Sequence, residues 1–174
     1  MSRALSPALA SGLAAAAVLA FAGEARASFV LGAEMNVAAP LNASTASAGF
    51  GFFGTVGYRI GLGPVFLQPE AQAGYLSFLT QSASFPALRA TRILGGARLG
   101  LGRMVQPTLF GHVGLGWLGA GQEGPALDAG VALGFKLIPY LRFGAQVAYN
   151  VVTLPSEGPA LRFLSYGVHA GVEL

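Results

Sequence analysis

The chain has 174 residues, of which 53% are hydrophobic and only 10% charged, with 26 Gly and no Cys. A water-soluble domain carries roughly 25% charged residues, so much of this molecule's outer surface is expected to avoid water. The lack of Cys excludes a disulfide framework, thiolate metal sites and thiol catalysis, and ten Lys and Arg, scattered without a basic run, exclude a nucleic-acid footprint.

The first element is a targeting segment. Arg3 gives a positive start, Ala8 to Ala22 an apolar stretch, and Ala25-Arg26-Ala27 a small-x-small cleavage signal. The apolar stretch is about 15 residues, short of the ~20 that a spanning helix needs. Residues 1–27 are therefore expected to be a signal peptide and 28–174 the mature domain. Loss of Arg3, Glu24 and Arg26 leaves eight basic and six acidic residues, a mature charge of +2.

From Ser28 onward the sequence alternates with period two, the mark of half-apolar strands. Residues 29–37 set Phe29, Leu31, Ala33, Met35 and Val37 against Gly32, Glu34 and Asn36. Residues 50–62 set Phe50, Phe52, Val56, Tyr58, Ile60 and Leu62 against a face with Phe53 and Arg59. Residues 67–75 set Leu67, Ala71, Ala73 and Tyr75 against Gln68, Glu70, Gln72 and Gly74; Pro69 removes one ladder donor and predicts a local bulge. Residues 92–101 set Ile93, Ala97, Leu99 and Leu101 against Arg92 and Arg98. Residues 109–117 set Leu109, Val113, Leu115 and Trp117 against Phe110 and His112. Residues 127–137 alternate around Asp128 and Lys136, and 141–151 around Arg142, Gln146 and Asn150. The last strand sets Leu164, Tyr166, Val168, Ala170, Val172 and Leu174 against Ser165, His169 and Glu173.

These are eight strands of about ten residues, the length a tilted strand needs to cross a bilayer. Gly61–Pro64, Gly102–Pro107 and Ile138–Pro139 predict short turns; residues 38–48, 77–89, 119–126 and 152–160 predict longer loops. That alternation is the pattern of a closed, up-and-down transmembrane barrel with short periplasmic turns and outer loops. An even strand number puts both ends of the mature chain on the periplasmic side, and closure leaves no backbone donor unpaired in hydrocarbon.

Charge decides which face points inward. Glu34, Arg59, Glu70, Arg92, Arg98, Asp128, Lys136, Arg142 and Glu173 all fall on the Gly-rich face, together with His169. An Arg or Lys costs about 2–4 kcal/mol at the lipid midplane, so this face is expected to line the lumen as a charge network. A lipocalin-like soluble barrel with the opposite facing would show water a surface of Gly and few charges. The aromatics divide as interfacial belts should: Phe29, Tyr58, Phe135 and Phe143 near the periplasmic ends, and Phe50, Phe52, Tyr75, Trp117, Tyr149 and Tyr166 near the outer ends.

Eight strands leave an interior that side chains fill. Within it Glu173 is expected near Arg142 and Lys136, Glu34 near His169, and Glu70 on one of the lumenal Arg. Ser165 and His169 could serve a lipid hydrolase, but four residues along a strand is roughly 13 Å, beyond direct hydrogen bonding. His112 with His169 and Glu34 or Asp128 lacks metal-ligand spacing and reads as packing. The Gly-x-Gly repeats at Gly61, Gly100 and Gly114 precede no helix and are not phosphate loops.

The Leu67-Gln68-Pro69-Glu70 strand start, the Gly111-His112-Val113-Gly114-Leu115-Gly116-Trp117 strand and the Asp128 to Asn150 hairpin resemble the outer membrane protein β-barrel domain family, of the small OmpA/OmpX type, over nearly all of residues 28–174. The resemblance implies an integral protein of the bacterial outer membrane. It also implies contact with outer-membrane lipid and recognition of the last strand by the barrel-assembly machinery. That family's terminal signal usually ends in Phe or Trp; Leu174 stands here. The family includes structural, adhesive and enzymatic members, so fold alone does not assign a task. The expected function is a structural or surface-interaction barrel, monomeric, without cofactor, metal or enzymatic activity. A narrow water or ion conduit is the alternative, and a lipid-modifying enzyme the third reading.

Overall fold

A computed structural model describes residues 25–42, 46–80, 88–119, 122–153 and 160–174. The alternating segments form β1 (Ala25–Pro40), β2 (Ala46–Leu62), β3 (Val65–Thr80), β4 (Leu88–Leu101), β5 (Val105–Leu118), β6 (Gln122–Ile138), β7 (Leu141–Val152) and β8 (Leu161–Glu173). Each strand pairs antiparallel with its neighbours in sequence, and β1 pairs with β8, closing the barrel. The closure is completed by reciprocal backbone bonds between Phe29 and Leu174 (3.1 and 2.8 Å). The signal peptide expected over residues 1–27 lies outside the described residues, except that Ala25–Ala27 continue β1 opposite Ile60–Leu62.

One end carries the tight connections. Gly63 and Gly102 take positive φ (67° and 91°), the left-handed region where a Cβ is strained, and so turn the chain between β2 and β3 and between β4 and β5. Each turn is tied to the chain beside it: Gly102 N–H donates to Pro64 in the next turn (2.7 Å), and the strand-end N–H groups of Lys136 and Glu173 donate to Met104 and Tyr140 (2.8 Å each). This is the turn end; the opposite rim is the loop end.

The strands run 12 to 17 residues, longer than the expected ten. Ladder bonds join backbones and do not need alternating side chains, so pairing continues where the apolar–polar contrast has faded. The β2–β3 and β4–β5 turns are shorter than expected for the same reason, and Pro107 lies inside β5, paired with Leu133. No bulge accompanies Pro69. The β2–β3 register is the same at Gly57↔Glu70 and Ile60↔Leu67, so the missing N–H opens the ladder locally without inserting a residue. The shift in that hairpin sits at the loop end instead, between Ala46 and Gly49.

The facing is unambiguous. Every ionic residue of the lumenal row except Lys136 is buried, while the alternate row is exposed, led by Val113 (69%), Leu137 (65%) and Leu109 (62%). A surface this apolar, wrapped around buried charge, is an inside-out protein suited to lipid. The ten aromatic belt residues lie on this outer row; Trp117 alone is half-buried, and its indole Nε1 donates to Glu123 Oε2 across the β5–β6 ladder (3.2 Å).

Candidate functional site

The lumen has two stacked layers. The turn-side layer is ionic. Its residues come from alternate positions of all eight strands, and their side chains are long enough to cross the narrow interior. Arg98 of β4 reaches both Glu70 Oε1 (3.1 Å) and Glu34 Oε1 (3.4 Å). Glu34 also accepts from Gln72 Nε2 (2.9 Å) and Gln146 Nε2 (2.6 Å), and Glu70 from Gln68 Nε2 (2.6 Å). His112 stands between two carboxylates, with Nδ1 2.6 Å from Asp128 Oδ1 and Nε2 2.9 Å from Glu70 Oε1. Arg92 donates to Asn150 Oδ1 (2.6 Å) and lies 3.8 Å from Asp128. Toward the turn end, Glu173 takes Arg142 (3.1 Å), Arg59 (3.2 Å) and Lys136.

Aromatic rings and glycines complete this layer. The guanidiniums of Arg59, Arg92 and Arg98 lie over Phe66 (3.3 Å), Phe53 (4.8 Å) and Phe110 (4.8 Å), which compensates desolvated cations. Inward glycines leave room for the imidazoles: a Cβ on Gly96 would fall 2.6 Å from His112 Cδ2, and one on Gly144 2.7 Å from His169 Cε1.

The charge pairs expected from the strand pattern stand at these places: Glu173 with Arg142 and Lys136, and Glu70 with Arg98. Glu34 and His169 are opposite each other in the β1–β8 register. Their side chains part company, however. Glu34 spans the lumen to Arg98, and His169 Nδ1 is buried without a protein partner. Opposition in a ladder fixes the face, but a long side chain chooses its own height. The bridge from His112 to Glu70 and Asp128 was not expected. Its signal was the direct His112↔Asp128 opposition in the β5–β6 ladder. Among the described residues, no group of three acidic or imidazole side chains is arranged to hold a metal. Ser165 is buried and accepts from Asn150 Nδ2 (2.9 Å), away from His169.

The loop-side layer is apolar and was not anticipated. Phe53, Leu76, Phe78, Leu94, Leu118, Val152, Leu161 and Phe163 form one buried cluster across the barrel. Phe78 and Phe163 meet edge to face, with centroids 5.4 Å apart and both at 0% exposure. Below this layer the lumen holds a cavity of about 40 Å³ beside Glu34, Arg98, Arg142 and His169, on the order of a few water molecules.

No protein-family model and no curated protein matches the sequence. Solved structures do match. The Neisserial surface protein NspA superposes with a TM-score of 0.57 at 17% identity, covering 86% of this chain and 98% of that one. OprG of Pseudomonas aeruginosa gives 0.53 at 10% identity, covering 87% and 98%. Ail, the attachment invasion locus protein of Yersinia pestis, gives 0.52 at 14%, covering 87% and 99%. With its closed ring of eight antiparallel strands, ionic interior and apolar exterior, the chain has the fold of the small outer-membrane barrels of the OmpA/OmpX type.

Proposed function

We propose that the protein is a non-enzymatic, integral barrel of the bacterial outer membrane, with a sealed lumen and a structural or surface-interaction role. The turn end faces the periplasm and the loop end the exterior, as turn and loop lengths require in such barrels. The observation that carries the sealed reading is the apolar cluster stacked on the ionic network: Phe78, Val152 and Phe163 are all at 0% exposure. A hydrated ion would have to shed its water to pass such a layer. The non-enzymatic reading rests on Ser165, the one candidate nucleophile paired by sequence with a histidine, being engaged with Asn150 and buried. The alternating last strand, Leu164 to Leu174, supplies the segment for the assembly machinery.

Single-channel recording in planar bilayers tests the reading. The unaltered protein is expected to give no unitary conductance. Phe78→Ala combined with Phe163→Ala opens the seal and is expected to introduce conductance. Steady channels from the unaltered protein would establish the narrow-conduit reading instead.

A further inference from the structure

The charges of the lumen are unevenly shared. In the deeper part the three carboxylates Glu34, Glu70 and Asp128 are met by three basic groups, Arg92, Arg98 and the imidazole of His112. At the turn end the basic groups outnumber the acidic, since one carboxylate, Glu173, serves Arg59, Lys136 and Arg142. That carboxylate cannot orient to all three: Arg142 Nε and Glu173 Oε1 are 3.1 Å apart, yet both lack hydrogen-bond geometry to any partner. The same end opens into a vestibule of about 640 Å³ whose lining includes Arg59, Arg103, Lys136, Ser28 and Gln106, with Glu173 as its acidic member. Arg103 is exposed on its turn and makes no ion pair among the described residues, while Gln106 Nε2 donates to its carbonyl (2.9 Å) and so pins the turn.

A filling with no task beyond packing would neutralise its own charges, as a buried unpaired cation is costly. Here the cationic excess collects where it opens to solvent. Three cations against one carboxylate leave the vestibule lining at +2, the complement of a phosphate monoester, which carries about −1.5 to −2 near pH 7. Arginine forks and a lysine point charge are the side chains suited to phosphate oxygens. We propose that the turn-end vestibule is a binding site for a soluble, phosphate-bearing small molecule that enters from the periplasmic side. Arg103 and Lys136 capture the phosphate, Arg59 forms the floor of the site, and Glu173 limits affinity by competing for the same cations.

Isothermal titration of the detergent-solubilised protein with inorganic phosphate at low ionic strength tests this. Saturable binding that weakens with salt is expected. Arg103→Gln combined with Lys136→Gln should weaken it about tenfold, or about 1.4 kcal/mol. Glu173→Gln should tighten it; if that variant does not fold, the double variant decides. Absence of saturable binding, or equal binding by the double variant, overturns the proposal. A second arm repeats the titration in phosphatidylcholine nanodiscs with and without phosphatidylglycerol. Unchanged binding supports a soluble ligand, and loss of binding in the anionic discs assigns the site to a lipid headgroup and overturns the soluble assignment.

Discussion

Arg98 holds two buried carboxylates at once, and its removal leaves Glu34 and Glu70 without their shared cation. Breaking a buried ionic group in this way costs about 3–5 kcal/mol, so Arg98→Ala is expected to lower stability by that order in urea titrations followed by Trp117 fluorescence. Lys136→Gln is the contrast. Its side chain is 28% exposed, and Glu173 keeps two arginines, so the same titration should move by less than about 1 kcal/mol. That both residues face the lumen was legible from alternation alone. Which partners they take was legible only where charges lay near the same height, as for Glu173 with Arg142 and Lys136. His112 escaped because the bridge to Glu70 crosses from β5 to β3, and no period along one strand reports a contact across the interior.

At the scale of the strand, β5 gives the sharpest contrast between faces. Val113 is 69% exposed and central in the strand, while His112 beside it is buried. Val113→Arg puts a guanidinium into the hydrocarbon and is expected to cost about 2–4 kcal/mol in lipid vesicles. The measurement is the equilibrium between the unfolded chain in urea and the inserted barrel, and an unchanged midpoint would mean that this row does not meet acyl chains. Eight strands and the three tight turns were readable from the sequence. Their lengths were not, because Tyr75-Leu76-Ser77-Phe78-Leu79 is apolar on both faces and erases the period just where the lumen changes from ionic to apolar.

For the whole molecule, closure is the property that matters. The β1–β8 ladder removes the last free edge, and a ring without edges resists denaturants that dissolve open sheets. The protein is therefore expected to migrate on a denaturing gel at different positions before and after boiling, the unheated band being the folded ring. A single migration position would contradict a closed barrel of this stability. The two lumen layers then divide the work. The apolar cluster fills the loop end of the lumen, and the ionic network fills the rest and presents its surplus cations at the turn end.

The sequence by itself determined the facing and the strand count, and it predicts a membrane setting. Each of these follows from a local rule, since alternation assigns a side to every residue and a charge cannot face lipid cheaply. Only the tertiary structure decided which lumenal groups meet, that an apolar layer closes the loop end, and that the turn end is left with excess cations. Those features depend on strand register and on side chains from opposite walls sharing one narrow space, and neither is written in the period of any single strand.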